Sequence, residues 1–469
     1  MSTADLVQDN VHTRPVSRES ECLPTQMDGM SGLVAAEQVP LRRNLSWTLL
    51  GNVVYAACQW AIIVVLAKLG TPAMVGQFVL AMAISAPVFM FSSLQLRVVQ
   101  ATDAHQQYRF GHYLGLRLVA VMASVLVVAG MAAVYRGRPG LAGVILLVGA
   151  AKALESISDV FYGLLQQRER MDRIAKSLLV KGPASLCFFG AALYLGHSVA
   201  WGAVGLVVAW GLVLLSYDMG SAILVLRGSA PLPSSDPFEA GRSALRPVWD
   251  APVLGRLALL ACPLGAAAML ASLAQNIPNY VVEHQLGAAA LGFFAAMAYV
   301  LRAQQLVAAA LIQAAVPRLS RYYHIAPVKF RRLILQLVEV VVLVGGLCVA
   351  VALVAGRPLL SALYRPEYAR HTDVFVLLVA SGIIAYAASC VEAGLTAARC
   401  LRPQFFSCLV QDVLLLGGCV VMTSRYGLAG AALAVNAAGV ARLAISSTVL
   451  VKALHRASSG AKEAQGELR

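Results

Sequence analysis

The chain contains 469 residues, of which 59% are hydrophobic and 13% are charged, and its formal net charge is +14. A soluble domain carries about twice this charged share, so the composition excludes a soluble globular protein and indicates a polytopic membrane protein. The positive charge does not imply nucleic-acid binding, because membrane proteins collect Lys and Arg in their cytoplasmic loops and no basic run interleaved with aromatic residues occurs here.

The motifs of common metal and nucleotide sites are missing from the sequence. Most of the nine cysteines lie in apolar runs, where they resemble small buried hydrophobic residues more than a disulfide framework. No CxxC or HExxH motif occurs, so no zinc site is predicted, and without a GxxxxGK[ST] motif no ATP site is predicted either. We therefore expect no cofactor and no metal.

The chain begins with polar residues 1–41, which predict a disordered cytoplasmic tail. This tail lacks the basic run and short apolar stretch of a signal peptide. Twelve apolar stretches follow, each about twenty residues long or slightly longer, which is the length that crosses a bilayer. They are predicted near residues 46–67, 73–95, 113–135, 140–164, 177–196, 199–226, 257–281, 288–313, 333–355, 372–395, 405–423 and 427–451.

Lys and Arg are distributed unevenly over the connecting segments. With the N-terminus inside, the inside segments hold most of them, which predicts that both termini face the cytoplasm. The longest connection, at 227–256, is rich in Pro and Ser and is interpreted as a cytoplasmic linker. It separates an N-terminal six-helix half at 42–226 from a C-terminal six-helix half at 257–452, and a second cytoplasmic tail follows at 453–469.

Short echoes relate the two halves. GQF at 76–78 recurs as GFF at 292–294, and GL at 163–164 recurs as GL at 394–395. Both echoes keep the same in/out orientation, which predicts a parallel repeat about an axis along the membrane normal, with a site between the halves. The predicted fold class is therefore all-α integral membrane, with twelve transmembrane helices in two related halves.

The fourth predicted span carries a charged stripe within apolar surroundings. Lys152, Glu155 and Asp159 fall within about 60° of one another on a helix. On the same side of this helix lie Tyr162, Gln166 and Arg170. Charges at membrane depth cost several kcal/mol unless they face protein or a wet cavity, which favours a functional site. The alternative is a Lys–Glu pair that neutralises itself and only joins two helices. The second half has no matching charges, so the N-terminal half is expected to have a role of its own.

Motifs spread over most of the chain resemble one known family. They are RN at 43–44, GNxxY at 51–55, LQLR at 94–97, TD at 102–103, ERMDxIA at 169–175 and NxPxYxxE at 276–283. Together they resemble the bacterial polysaccharide-biosynthesis flippases, the Wzx-type oligosaccharide flippases of the MATE-like flippase superfamily. The resemblance covers about residues 42–455.

This resemblance implies a MATE-like architecture and a transport function rather than an enzyme. The implied substrate is an undecaprenyl-pyrophosphate-linked oligosaccharide, moved across the bacterial inner membrane for surface polysaccharide, exopolysaccharide or O-antigen biosynthesis. The implied partners are this lipid-linked substrate, membrane lipids, H⁺ or Na⁺ as coupling ion, and a polysaccharide polymerase with other assembly proteins. No nucleic acid is expected.

A diphosphate that crosses a low-dielectric layer needs cations, which Arg and Lys supply through charge-assisted hydrogen bonds. Lys152, Arg302 and Arg442 lie near the middle of predicted spans and are the first candidates for the substrate cavity. Arg117 and Lys181 are further candidates, although they lie nearer the inside ends, where snorkelling explains them equally well.

Carboxylates at membrane depth are candidates for binding a coupling proton or Na⁺. The candidates are Glu155, Asp159, Glu392 and Asp412. The first two are favoured because they lie close together, although Lys152 beside them weakens the case. Pairing of Arg442 with one of the other two acids is an open alternative to substrate binding.

Two other functions share the predicted hydropathy. A multidrug or cation exporter of the same superfamily would need an acidic, aromatic cavity, whereas the charges here are mixed and include three mid-span cations. An integral-membrane glycan polymerase or ligase, from a different class, would carry its catalytic residues in a long outer loop. The longest predicted outer segment, near 356–371, is short and holds one His and one acidic residue.

Overall fold

The structure is a computed structural model that describes residues 41–103, 107–227, 245–398 and 400–466. The predicted N-terminal tail and most of the predicted linker lie outside these residues. The α-helices of the described residues are α1 (Leu41–Leu69), α2 (Pro72–Ser93), α3 (Leu96–Thr102), α4 (Phe110–Val134), α5 (Pro139–Gln167), α6 (Met171–Gly196), α7 (Val199–Val213), α8 (Met219–Arg227), α9 (Ala251–Leu286), α10 (Ala288–Tyr299), α11 (Leu301–Ile325), α12 (Pro327–Leu363), α13 (Thr372–Ala397) and α14 (Leu401–Gly466). A π-helical turn (Leu214–Asp218) joins α7 to α8, and a 3₁₀ helix (Pro366–His371) precedes α13.

Among the described residues, ten helices are long and apolar enough to cross a membrane. One of them, Phe406–Leu454, contains 49 residues and has non-helical dihedral angles at Gly427, so it holds the predicted eleventh and twelfth spans. The predicted eighth span is divided between the short apolar helix α10 and the start of α11. The all-α fold with twelve transmembrane helices is thereby confirmed.

Each half packs mainly within itself. In the N-terminal half, α6 packs against α1 and α7, and α5 packs against α2, α4 and α7. In the C-terminal half, α13 packs against α11, α12 and α14. The halves meet along α2, which contacts both α9 and α10.

A symmetric close contact joins the halves where α2 and α10 begin. A Cβ on Gly76 would lie 1.7 Å from the carbonyl oxygen of Ala288, and a Cβ on Gly292 would lie 1.9 Å from that of Pro72. Each helix thus places its fifth residue, a glycine, against the first residue of the other. Such reciprocal contacts are typical of an interface around a two-fold axis. They agree with the parallel repeat that the sequence echoes predict.

Further contacts between the halves lie at the helix ends that are predicted to face outside. The Arg138 guanidinium is 2.7 Å from the Glu283 carboxylate. The Arg365 guanidinium donates to the Lys68 carbonyl at 2.9 Å. These contacts join the N-terminal half to the C-terminal half at the predicted outer surface.

A proline supplies another link between the halves. Pro87 lies inside α2 and has no N–H, which leaves the carbonyl four residues earlier without its helical donor. That carbonyl belongs to Ala83, and the Tyr280 hydroxyl on α9 donates to it. The carbonyl that Pro87 leaves without a helical donor is therefore satisfied by a residue of the opposite half.

The described end of the predicted linker packs on the N-terminal half. Leu245 is buried with residues of α4 and α5, and the Val248 N–H donates to the Gly111 carbonyl at 2.9 Å. This segment therefore attaches the start of α9 to the predicted cytoplasmic end of α4.

Candidate functional site

The charged stripe on α5 forms a wall between two cavities of the N-terminal half. The first, called the α2–α5 cavity, has a volume of about 490 Å³ and is lined by Ala86, Phe89, Met90, Ser93, Gln95, Arg97, Val98, Arg117, Lys152, Glu155, Ser156 and Asp159. The second, called the α1–α6 cavity, has a volume of about 380 Å³. It is lined by Thr48, Asn52, Tyr55, Arg97, Glu155, Asp159, Tyr162, Gln166, Met171, Ile174, Ala175, Leu178 and Lys181. Three of these residues, Arg97, Glu155 and Asp159, border both cavities.

Glu155 is held tightly by its neighbours. The Lys152 ammonium donates to one of its oxygens at 2.7 Å, and the Tyr55 hydroxyl donates to the other at 3.1 Å. The Lys152 ammonium also lies over the Trp210 ring, 5.7 Å from its centre. The predicted i,i+3 pair is therefore present, but both of its members face a cavity rather than a dry helix interface.

Asp159 lies between two guanidinium groups. One of its oxygens is 3.5 Å from Arg97, and the other accepts a hydrogen bond from Arg117 at 3.3 Å. Glu155 and Asp159 are thus paired with different cations, so the close carboxylate pair that the sequence suggests is replaced by two separate ion pairs. About a third of each carboxylate side chain remains exposed to the cavities.

Arg97 reaches this site because the chain breaks between α2 and α3. Leu94 and Gln95 both adopt left-handed backbone conformations, with φ of 47° and 48°. Such conformations are costly for residues other than glycine and are often found at functional sites. The turn brings Arg97 against α5, where its Nε donates to Gln166 at 2.9 Å and its guanidinium lies 5.6 Å from the centre of the Tyr162 ring.

Arg117 borders the α2–α5 cavity, but its side chain is fully buried. Its guanidinium donates to Ser156 at 3.1 Å as well as to Asp159. The Nε of Arg117 has no hydrogen-bond partner within the part of the chain that the structure describes. This predicted cation therefore points into protein rather than toward the membrane surface.

Lys181 takes part in a buried polar cluster on the far side of α5. Its ammonium donates to Ser158 at 2.9 Å and to the Tyr162 hydroxyl at 3.3 Å, and lies 3.6 Å from Asp218. The Ser177 hydroxyl also donates to Asp218. Asp218 occupies the π-helical turn, a rare feature that is often found at functional sites. Snorkelling does not describe Lys181, because its side chain is only 1% exposed.

Arg442 lies in the other half and is paired there. Its Nε donates to Glu392 at 2.6 Å, its second nitrogen also contacts this carboxylate, and its third donates to Gln411 at 3.0 Å. Asp412 adds a further negative charge near the guanidinium. The alternative of an ion pair with an acidic neighbour is therefore present in the structure. The other predicted cation of this half, Arg302, lies in the first turn of α11, and its side chain is outside the described residues.

The structure thus brings together five of the predicted site residues, which are Arg117, Lys152, Glu155, Asp159 and Lys181. Sequence reasoning missed Arg97 and Asp218. The predicted spans place Arg97 just after the second span, in a connecting segment, although it follows the LQL motif directly. Asp218 is an acid inside the sixth apolar span, and that position alone was a usable signal.

Two packed halves, and ten helices among the described residues that are long and apolar enough to cross a membrane, indicate a polytopic membrane protein with a polar site inside its N-terminal half. The fold matches that of an inward-facing multidrug resistance MATE family transporter of the MOP superfamily, with a TM-score of 0.66, 10% identity, and coverage of 88% of this chain and 99% of that chain. It also matches the lipid II flippase MurJ in an inward closed conformation, with a TM-score of 0.59, 10% identity, and coverage of 88% and 90%. The chain therefore has the MATE-like fold.

In sequence, the chain is similar to the capsular polysaccharide biosynthesis protein CapF of Staphylococcus aureus. The two are 26% identical over 337 residues, which are 72% of this chain and 80% of that protein. No family model matches the chain. The relative and the fold together confirm the resemblance to the MATE-like polysaccharide flippases, and they support a membrane flippase or transporter.

Proposed function

We propose that this protein is a flippase that moves a lipid-linked oligosaccharide from the cytoplasmic to the outer face of the bacterial inner membrane. The substrate carries an undecaprenyl diphosphate anchor, and its glycan enters a surface polysaccharide, an exopolysaccharide or an O-antigen. Both termini are cytoplasmic, and the protein acts by alternating access rather than as an enzyme. The similarity to a capsular polysaccharide biosynthesis protein supports this reading.

The observation that carries the proposal is the charge of the α2–α5 cavity. Three cations, Arg97, Arg117 and Lys152, line it together with two carboxylates, so its lining has a net charge of about +1. Guanidinium groups bind phosphate oxygens through pairs of parallel hydrogen bonds. A cavity with a cation surplus at membrane depth favours an anionic substrate.

The size and place of this cavity fit the charged end of a larger substrate. Its volume of about 490 Å³ lies in the range of small-ligand sites. It would therefore hold the diphosphate and the adjoining sugar, while the rest of the glycan extends away from the site. Arg97 lies at the end of the span that is predicted to face the cytoplasm, which is the side on which such a substrate is made.

The contacts between the halves agree with loading from the cytoplasm. An ion pair, hydrogen bonds and the glycine contact join the halves at the predicted outer ends of their helices. These contacts hold the predicted outer ends of the halves together, whereas the α2–α5 and α1–α6 cavities lie toward the predicted inner side of the N-terminal half. In alternating access, one half rocks against the other and these outer contacts open.

Uphill transport without ATP needs an ion gradient, and carboxylates facing a cavity can bind the coupling H⁺ or Na⁺. Glu155 and Asp159 are the candidates that line the described cavities. Glu392 is engaged by Arg442, and Asp412 lies beside that pair, so these two acids are second choices. The arrangement is less favourable for the rival function, a cation exporter, because each acid at the site already has a cationic partner.

Deletion of the gene tests the proposal. We expect loss or shortening of one surface polysaccharide, with the lipid-linked repeat unit accumulating on the cytoplasmic leaflet, as measured by leaflet-selective labelling. Accumulation on the outer leaflet would instead point to a polymerase or ligase. Unchanged glycans together with drug sensitivity would point to an exporter.

Complementation of the deletion strain tests the site itself. Arg97→Ala should fail to restore the polysaccharide at wild-type protein level, and Arg97→Lys should restore it partly, because Lys keeps the charge but loses the paired hydrogen bonds. Arg136→Ala is the matched control, since Arg136 is exposed on the predicted outer turn between α4 and α5. Full activity of the Arg97→Ala variant would show that this cavity is not part of the transport route.

A further inference from the structure

We infer that the Asp159 carboxylate is an internal competitor of the substrate: it occupies the anion site of the α2–α5 cavity, and the diphosphate displaces it from Arg97 and Arg117. The inference rests on the proposed function and adds the residue that the substrate must displace. It makes Asp159 a determinant of affinity rather than a simple structural partner.

The geometry around Asp159 is that of a loosely held anion. Its distances to the two guanidinium groups are 3.5 Å and 3.3 Å. Charge-assisted hydrogen bonds normally measure about 2.7–2.9 Å. Glu155, one turn earlier, is bound at 2.7 Å by Lys152 and also accepts from Tyr55. The two carboxylates of the stripe therefore differ, and only Asp159 is weakly engaged.

The two guanidinium groups are fixed independently of Asp159. Arg97 is held by the hydrogen bond to Gln166 and by the face of Tyr162. Arg117 is held by Ser156 and by complete burial. If the carboxylate moved away, both cations would keep their positions, and a ready anion site would remain.

Asp159 also contacts the second cation. Arg117 borders the cavity, none of its side chain is exposed, and its guanidinium lies 3.3 Å from the Asp159 carboxylate. A diphosphate carries more negative charge and more acceptor oxygens than a carboxylate, so it can satisfy both guanidinium groups at once. It could also use the Arg117 Nε, which lacks a hydrogen-bond partner within the described part of the chain.

Without substrate, the Asp159 carboxylate is needed to balance the charge of the two arginines. Two neighbouring guanidinium groups at membrane depth, one of them fully buried, repel each other and are costly to desolvate without an anion. Asp159 therefore stabilises the empty cavity, and it must be displaced when the substrate binds. Removing it should lower stability and raise affinity, two effects that a purely structural carboxylate would not combine.

The test uses the full-length protein in detergent micelles, with farnesyl diphosphate as the probe and farnesol as the reference for the apolar chain. Isothermal titration calorimetry gives the Kd, and a melting curve is recorded for each variant. We expect Asp159→Ala and the near-isosteric Asp159→Asn to melt earlier and to bind farnesyl diphosphate about fivefold to tenfold more tightly, because the partly exposed Asp159 carboxylate no longer competes. Adding Arg97→Ala to Asp159→Ala should abolish the gain.

Asp172→Ala is the matched control, because Asp172 also pairs with an arginine, Arg170, but does not line either cavity. It removes the same charge elsewhere, and its Kd should stay at the wild-type value. An unchanged or higher Kd in both folded Asp159 variants would overturn the inference while leaving the proposed function intact. If neither the wild type nor the variants bind farnesyl diphosphate better than farnesol, the proposed function fails as well.

Discussion

Arg442 and Glu392 show how one ion pair can be either structural or functional. Sequence reasoning left both roles open. In the structure the pair is bidentate, the Glu392 side chain is 7% exposed, and that of Arg442 is 23% exposed. Neither residue lines the α2–α5 or the α1–α6 cavity. The pair joins α13 to the second part of α14, a position that favours a structural role, and substrate binding by Arg442 stays a prediction.

Two kinds of variant distinguish a structural from a functional role of this pair. One truncates a single partner, and the other replaces both partners. Arg442→Ala should lower the free energy of unfolding by up to about 3–5 kcal/mol, the range for breaking a fully buried pair, and by less where water reaches the arginine. The double variant Arg442→Met with Glu392→Met should recover most of this loss, because two apolar side chains leave no unpaired charge. Melting curves and transport assays on the three proteins provide the measurement.

If the pair is structural, transport recovers together with stability in the double variant. A double variant that is stable but inactive would instead make Arg442 part of the substrate or coupling route. The sequence also predicts that Arg302→Ala loses transport and that Arg302→Lys keeps partial function. This prediction tests a cation of the second half independently of Arg442.

At this scale the sequence predicted the α5 stripe well, because helical periodicity alone places Lys152, Glu155 and Asp159 on one face. It could not predict the partners, since these come from other helices. Arg97 reaches the site only through the left-handed turn at Leu94 and Gln95, and no Gly or Pro there announces such a turn. Arg138 lies on a predicted outer turn, where no partner could be foreseen, yet it is paired with Glu283.

The helices α2 and α10 are the elements on which the two halves meet. Their first turns approach each other through Gly76 and Gly292, and any larger residue would overlap a carbonyl oxygen of the partner helix. The sequence echoes GQF and GFF contain these glycines, so the repeat can be recognised from the sequence alone. What the sequence did not show is that the repeated glycines touch the opposite half.

Gly76→Ala and Gly292→Ala should both impair closure of the predicted outer side. The added methyl would lie 1.7 Å or 1.9 Å from a backbone oxygen, and overpacking of this kind typically costs about 1–3 kcal/mol. We expect a lower melting temperature and a several-fold slower transport rate in vesicles. Gly130→Ala on α4 is the control, because its Cβ would meet nothing within 4 Å, so the change should be neutral or slightly stabilising. Wild-type behaviour of both interface variants would mean that α2 and α10 do not need this close approach.

The predicted spans coincide with the apolar parts of the helices, because length and hydropathy largely determine a span, but several helices extend further. Helix α12 begins six residues before the predicted ninth span and ends eight residues after it. Two spans are also interrupted. The predicted eighth span is divided near Val300, and the predicted second span continues through the turn into α3, which carries Arg97. Both breaks depend on contacts with neighbouring helices, such as that of α3 with α5, so periodicity within one span cannot reveal them.

For the whole molecule, the distribution of Lys and Arg predicts twelve spans with both ends inside. A reporter that is active only in the periplasm should therefore be silent when fused near position 234 or after position 455. A fusion near position 136, between α4 and α5, should be active and serves as the positive control. Activity at either of the first two sites would overturn the predicted topology, and with it the assignment of the outer contacts.

The Arg138–Glu283 ion pair links the two halves at their predicted outer ends and offers a test of alternating access. The pair is short, at 2.7 Å, but the Arg138 side chain is 66% exposed, so its loss alone should cost only about 0.2–1 kcal/mol. Arg138→Ala should therefore slow transport slightly. Arg138→Glu places two carboxylates against each other, and at about 4 Å their repulsion amounts to roughly 1–4 kcal/mol, depending on the local dielectric.

Charge reversal should consequently favour opening of the predicted outer side and slow the return to the cytoplasm-facing arrangement. The same holds for Glu283→Arg, which opposes two cations. The double variant Arg138→Glu with Glu283→Arg restores the attraction and should therefore restore the transport rate in vesicles. At high salt the transport rates of the variants should differ less, because exposed charges are screened. Independent, additive defects in the double variant would show that the two residues do not act as a pair. Closing of the predicted outer side would then depend on other contacts, such as those of Gly76, Gly292 and Arg365.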